Sequence, residues 1–367
     1  MRVMFWSEHF EPLIGGVQRS ATLTLDILAA RGHEFVIITP RHYASWAEEE
    51  LWHGMPLYRF DFSTALAKGD MAAWIRQQKR LVEIVDSFKP QIQHTFSIGP
   101  STMATLQLLK RRPLPFIVNL VGTELDLEPS HAPEGAIAKS LLAATWVTTV
   151  SQAMMEQSVR YVPGTKTHIS VLYNGFPPPK LEPAPLATPP VLLLMGRLVP
   201  QKGVDFAIAA FEKIYQRFPD VRLVIAGDGT DRDMLQEMAR PMGDRVEFIG
   251  WVQPEDSGKI FNQATIVLLP SRSEGLPNVA IEASYMARPI VGYNIPGVNE
   301  VVLDGKSGLL VEPGNVEALA EAIAHLLENP GKAASMGQAA REWAFSRFTL
   351  ERCADEYEAL YQRVVEL

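Results

Sequence analysis

One stretch divides the chain. Residues 176–190 read FPPPKLEPAPLATPP, with proline at seven of 15 positions. Proline fixes φ and donates no backbone hydrogen bond, so this segment builds neither a helix interior nor a central strand. On each side of it, short apolar runs alternate with stretches of helical period. Before it, strands are expected at 3–6, 34–40, 91–94, 116–121 and 146–150, separated by helices at 17–31, 71–89, 101–110 and 136–144. After it, strands are expected at 191–195, 221–226, 246–249, 265–270, 289–292 and 308–311. Helices at 204–218, 232–239, 257–262 and 279–286 fall between them. The chain closes with helices at 316–328 and 331–367, the last changing direction near 345–348. Strand alternating with helix implies a parallel sheet covered on both faces. The expected fold class is therefore α/β, with two Rossmann-like doubly wound lobes facing across a cleft. They comprise residues 1–177 and 191–348, joined by a stiff proline-rich linker at 178–190.

Size supports two lobes, because single cores stop growing near about 250–300 residues and this chain has 367. Hydrophobic residues at 47% and charged residues at 21% exclude disorder as the main state. No run approaches the ~18 uncharged apolar residues of a membrane span, and Glu8 interrupts the N-terminus before a signal-peptide core. The single cysteine, Cys353, makes no internal disulfide and no metal cage, which fits a reducing cytoplasm. The net charge of −8 is uneven: residues 1–180 carry 17 Lys/Arg and 16 Asp/Glu, residues 181–367 carry 17 and 26. That excess of acid argues against a nucleic-acid partner, which needs a basic face.

Ligands of doubly wound sheets bind at the carboxyl ends of strands. Four clusters follow strands here. Gly196-Arg197-Leu198-Val199-Pro200-Gln201-Lys202-Gly203 places two cations five residues apart on a turn before a helix. It suits a diphosphate, but taken alone the pattern more often marks a solvated turn with surface cations. Pro270-Ser271-Arg272-Ser273-Glu274-Gly275-Leu276-Pro277-Asn278 leads into a helix carrying Glu282. Glu274 and Glu282 either accept hydrogen bonds from paired sugar hydroxyls or are a helix-capping acid and a surface residue. Gly15-Gly16 allows close backbone approach and positive φ, but G-x-G-x-x-G, the nicotinamide or flavin fingerprint, is absent. Gly227-Asp228-Gly229 follows another strand. Asp231 and Asp233 form a D-x-D, a spacing known for metals, yet acids at a helix start also match the helix dipole; no metal site is assigned.

In this order the segments PLIGGVQR (12–19), LYNG (172–175), GRLVPQKG (196–203), AGDG (226–229), PSRSEGLPNVAIEA (270–283) and PGVNEVVLDGKSGLLV (296–311) resemble one family. The chain is similar, over nearly its whole length, to the retaining nucleotide-sugar glycosyltransferases of family 4, also called glycosyltransferase group 1, which have the GT-B fold. The resemblance implies that Arg197 and Lys202 hold the donor diphosphate, that Glu282 binds the ribose and that Glu274 contacts the transferred hexose. Gly196, Gly227 and the backbone of Gly275, Leu276, Pro277 and Asn278 would line the donor, and Gly15 and Gly16 would close over the diphosphate. The helix at about 349–367 would cross back to the first lobe. Such enzymes need no divalent metal, no cofactor and no enzyme nucleophile. The donor is expected to be a UDP-sugar first and a GDP-sugar second, and the acceptor a glycan, glycolipid or lipid-linked precursor chosen by the first lobe.

One departure stands out. Where the family has T-V-H-G-T-D, this chain has Asn119-Leu120-Val121-Gly122-Thr123-Glu124. Valine in place of histidine implies either a donor lacking a free C6 hydroxyl or a substitute donor group, for which His94 is one candidate and a structural histidine the other reading. Asn174-Gly175 likewise lacks the aspartate that often follows. A sugar-nucleotide sensor without turnover and a GT-B epimerase remain alternatives. Trp74 and Ile75 beside Arg76, Lys79 and Arg80, with Lys110-Arg111-Arg112, suggest peripheral contact with an anionic membrane, or a surface helix packed on its sheet.

Overall fold

Buried apolar runs become strands here because helices cover both of their faces. The computed structural model describes residues 1–122, 125 and 135–367; Thr123 and Glu124 of the departing motif lie outside them. Its first unit, Met1–Gly175 with Leu350–Leu367, holds β1 (Arg2–Ser7), α1 (Gly16–Ala30), β2 (Glu34–Pro40), β3 (Glu49–Trp52), β4 (Met55–Phe60), α2 (Phe62–Ala67), α3 (Met71–Phe88), β5 (Ile92–Phe96), α4 (Thr102–Arg111), β6 (Phe116–Leu120), α5 (Ala136–Ala143), β7 (Trp146–Thr149), α6 (Gln152–Tyr161) and β8 (Ile169–Val171). The sheet order is β3-β4-β2-β1-β5-β6-β7-β8. The second unit, Phe176–Thr349, holds β9 (Val191–Met195), α7 (Val204–Ile214), β10 (Arg222–Ala226), α8 (Arg232–Ala239), β11 (Val246–Gly250), α9 (Ser257–Asn262), β12 (Ile266–Leu269), α10 (Asn278–Tyr285), β13 (Ile290–Tyr293), α11 (Val298–Val301), β14 (Gly308–Val311), α12 (Val316–Glu328) and α13 (Pro330–Arg347). Its order is β11-β10-β9-β12-β13-β14, parallel throughout. Finally α14 (Leu350–Glu366) belongs to the first unit.

Local chemistry sets the helix starts. The side chains of Asp70, Ser151 and Asn315 accept from Ala73 N at 2.8 Å, Met154 N at 3.2 Å and Ala318 N at 3.0 Å. Each satisfies an amide that the first turn leaves open. In both sheets the chain winds outward from one strand and later returns to that strand's other side. The switch points are β1/β5 and β9/β12, where a crevice opens at the carboxyl ends.

The structure adds to the sequence reading, or decides between its alternatives, at four places. The hairpin β3–β4 is absent from the sequence reading. Trp52 pairs with Met55 across His53 (φ 47°) and Gly54 (φ 83°), a two-residue turn with both φ positive; His-Gly is not its usual signal, and the acids of β3 hide an edge strand. The proline-rich stretch is not a free-standing linker. Arg288, fully buried, donates to the carbonyls of Pro185 and Ala184, and Asn262 is hydrogen-bonded to Ala184 N and Glu182 O. Residues 178–190 therefore lie within the second unit, docked by these bonds. Trp74 is buried at 3% exposure with its indole N–H on Gln107, because its face of α3 packs on the core. Only Met71 and Ile75 of that helix expose large apolar side chains.

His94 is the fourth. It is 0% exposed, its Nδ1 hydrogen-bonded to Tyr361 OH of α14 at 2.7 Å. Burial pulls its pKa down to about 3, so the ring is neutral. Beside it Asn119 Nδ2 donates to Tyr357 OH at 2.9 Å and accepts from Thr148 at 2.9 Å. These buried bonds fix how α14 seats on the sheet, since each slip would strand a polar group. His94 is thus a structural residue and does not replace the missing histidine as a sugar contact. No helix among the described residues is long and apolar enough to cross a membrane.

Candidate active site

β9 and β12 are hydrogen-bonded neighbours, with Ile266 opposite Leu192 and Val267 opposite Leu193. Their carboxyl-end loops, 196–203 and 270–277, therefore emerge side by side at the switch point of the second unit. Residues 72 positions apart in sequence meet there. Lys202 Nζ donates to both carboxylate oxygens of Glu274, at 2.7 and 2.9 Å. The Glu274 side chain is only 6% exposed, and Ser271 Oγ donates to it at 2.7 Å. Arg197 is exposed on the turn after β9. Glu282 lies on α10, 6% exposed, and Gly275, Leu276 and Pro277 are buried in the loop before that helix, which starts at Asn278. The amides at its N-terminus favour negative charge.

A staple that the sequence reading missed holds the two loops together. Arg272 Nη1 and Nη2 donate to the two oxygens of Asp205 at 2.9 and 2.7 Å, and Nη1 also donates to Pro200 O at 2.6 Å. Its guanidinium lies 4.1 Å from the centre of the Phe206 ring. Arg272 N donates to Gln201 O at 2.8 Å, and Gln201 Nε2 donates to Ser273 O at 3.1 Å. Hydrogen bonds from Arg272 hold the Asp205 carboxyl below its ordinary pKa. The signal was an acid in the first turn of the helix after Lys202 and an arginine two residues before Glu274; only the fold shows that they pair.

Gly227 acts through space. Its φ is +145°, and a Cβ there would run into the carbonyl oxygen of Gly196. Lacking one, the turn after β10 packs on the turn after β9, with Gly196 N donating to Ala226 O at 2.9 Å and Leu198 N to Asp228 O at 2.9 Å. Asp231 directly precedes α8 and Asp233 lies in its first turn. No cluster of three or more His, Cys, Asp or Glu among the described residues is arranged to hold a metal.

The remaining candidates belong to the first unit. Gly15 precedes α1 with φ 169°, extended and not left-handed, and Gly16 opens that helix. Val121, 7% exposed, and Gly122 follow β6; Asn174, 5% exposed, follows β8. At this unit's switch point sits an acid the sequence reading passed over. Glu8, just after β1, is 4% exposed and accepts from Ser101 Oγ and from Ser101 N, the latter at 3.4 Å. Trp6 Nε1 donates to the same Ser101 Oγ at 3.0 Å. Burial raises the Glu8 carboxyl above 4.5, and the Ser101 bonds offset only part of this. A raised carboxyl contributes stability fully below its unfolded pKa and loses it as pH rises through the folded value. Glu8→Gln, which does not titrate, is therefore expected to gain in thermal midpoint over the wild type as pH rises above 4.5. A constant difference from about pH 4 to about pH 8 would show that Glu8 has no such shift.

Two α/β units built on mainly parallel sheets, the second with a cationic and an acidic loop meeting at its switch point, match a class: the GT-B glycosyltransferases. Among solved structures, sucrose-phosphate synthase from Thermosynechococcus elongatus shares the fold with TM-score 0.81 and 20% identity, over 99% of this chain and 98% of that one. Anabaena HepE does so with TM-score 0.79 and 20% identity, over 99% and 100%. Residues 14–179 match the family model described as Glycosyltransferase Family 4, and residues 182–343 the one described as Glycosyl transferases group 1. The chain belongs to this family and is a glycosyltransferase. Glycogen synthase of Mycobacterium tuberculosis is 27% identical over 98% of this chain and 94% of its own length. A GDP-mannose-dependent phosphatidylinositol monomannoside mannosyltransferase of Mycolicibacterium smegmatis is 36% identical over 43% of this chain and 44% of its own.

Proposed function

We propose that the chain moves a sugar from a nucleoside diphosphate, with retention at the anomeric carbon, onto a hydroxyl of a glycan, glycolipid or lipid-linked acceptor. The observation that carries this reading is the Lys202–Glu274 pair, held at the β9/β12 switch point beside Arg197. Breaking the anomeric C–O bond leaves negative charge on the diphosphate. Arg197, Lys202 and the N-terminal amides of α10 stand ready to stabilise that charge where it develops. When the diphosphate engages Lys202, Glu274 is freed to accept from sugar hydroxyls, and Glu282 accepts from the ribose. The acceptor hydroxyl attacks from the face of the leaving group and gives its proton to the departing phosphate. The cations do the work of a divalent metal, and attack from the leaving-group face needs no enzyme nucleophile; no cofactor enters.

UDP is the preferred base, supported by the HepE structure in complex with UDP-glucose. GDP comes second, supported by the mannosyltransferase relative that depends on GDP-mannose. A thermal-shift series with UDP, GDP, UDP-glucose and GDP-mannose tests the reading. A ligand at 100 times its Kd adds about 2.7 kcal/mol of stability, so the right base produces a clear upward shift that survives EDTA. Silence toward all four sinks the donor site, and a shift that EDTA abolishes and Mg²⁺ restores sinks the metal-free reading. Binding without donor hydrolysis or transfer would mark a sensor instead.

A further inference from the structure

The loop after β2 carries aromatic rings for which the donor site has no use. Between Pro40 and Glu49 it presents His42 and Tyr43 exposed, the latter at 58%, with Trp46 half-buried behind them. Tyr43 and Trp46 have ring centres 5.0 Å apart at 59°, and His42 stands edge-on to Trp46 at 6.0 Å. The loop is braced. Arg41 donates to Trp46 O at 2.9 Å and to Ala44 O at 2.5 Å, and Trp46 N donates to Tyr43 O at 3.0 Å. Arg59, buried in β4, donates to Ala47 O at 3.3 Å and lies 5.5 Å from the Trp46 ring centre, backing it. A mobile loop could fold its aromatic rings inward; this one is fixed with them facing water.

The polar chemistry is equally specific. His42 Nε2 is 3.1 Å from the carbonyl oxygen of Glu8. A carbonyl only accepts, so Nε2 carries the proton and the neutral ring offers Nδ1 as an acceptor. The arginine of the loop and the one behind it are both committed, Arg41 to Glu48 at 2.8 Å and Arg59 of β4 to Glu50 at 2.7 Å, so neither recruits a phosphate. The hydrogen bond to Glu8 ties the loop to the switch point of the first unit, where a doubly wound sheet takes ligands.

We propose that residues 41–48 form a carbohydrate subsite for the acceptor. One pyranose ring lays its C–H face on Tyr43 against Trp46, and one ring hydroxyl donates to His42 Nδ1. Sugar C–H bonds carry slight positive charge and meet the negative face of an aromatic ring. The hydroxyls at the ring's rim need acceptors, which a lipid tail would not. This deepens the transfer reading and rests on it for the sugar's role as acceptor, but its test uses no nucleotide and so stands apart from the donor site.

The experiment is saturation-transfer NMR on the full chain with methyl α-D-glucopyranoside, methyl α-D-mannopyranoside, maltotriose and phenyl β-D-glucopyranoside. Ring C–H protons of at least one methyl glycoside or of maltotriose should receive saturation in the wild type. Tyr43→Ala should weaken that binding about tenfold; Tyr43→Phe should retain it. His42→Phe, which keeps a ring but offers no acceptor, should weaken it as well. Thermal midpoints near the wild-type value establish that each variant is folded. The proposal is overturned if no sugar ring is saturated, if only the phenyl group of the phenyl glucoside is, or if Tyr43→Ala binds as the wild type does.

Discussion

Lys202→Ala and Arg197→Ala are each expected to lower kcat by about 10²–10³-fold, since one interaction with charge developing in a transition state is worth roughly 2.7–4 kcal/mol. The two variants should part in stability. Arg197 is exposed, so its removal leaves the thermal midpoint where it was. Lys202 neutralises a glutamate side chain that is 6% exposed. Its removal leaves Glu274 held by the Ser271 hydroxyl, and an uncompensated buried charge is costly. Lys202→Ala should therefore melt earlier. Adding Glu274→Gln to it should recover the midpoint without recovering turnover. Purified variants with near-normal transfer rates would remove these cations from the mechanism.

Arg272→Gln is expected to cost about 10²-fold in kcat with a smaller change in donor KM, because a displacement of about 1 Å in a reacting group has that effect. The guanidinium joins Asp205 and Pro200 O, flanking Lys202, to the backbone that carries Glu274. Its bonds run to the cation loop through Asp205 and Pro200 O, so the role expected of it is positioning. Arg272→Lys should fall between, since an ammonium cannot reproduce the forked pair of bonds to Asp205 while stacking on Phe206. A variant that melts earlier yet keeps wild-type kcat well below its midpoint would reduce Arg272 to a purely structural role.

Much of this architecture is written locally. The apolar runs that became β1, β2, β5, β6 and β9 to β14 are short and bounded by Gly, Pro or a capping residue, and the period between them changes from two to 3.6. Strands buried on both faces need no long-range information to be recognised. The hairpin β3–β4 escaped because its edge strand is half acidic and its turn is His-Gly, so pairing with the sheet, not composition, makes it a strand. The docking of residues 178–190 escaped because it depends on Arg288, about a hundred residues away.

The site divides in the same way. Arg197, Lys202, Glu274 and Glu282 were nameable as candidates because the order of several short motifs resembles one family; the spacing within each motif, taken alone, fits a solvated turn or a capping acid equally well. Three facts were not readable. Lys202 is bonded to Glu274, Arg272 staples the two loops, and His94 is sealed under Tyr361. Each depends on which strands become neighbours, or on where the last helix settles. The sequence by itself determined the fold class and the family, and named candidates for the donor site, because local propensity and short motifs carry that information. The tertiary structure alone decided which charges meet, which titratable groups are dry and which aromatic rings stay in water. Those properties arise from contacts between residues tens to hundreds of positions apart, whose energies no local pattern encodes.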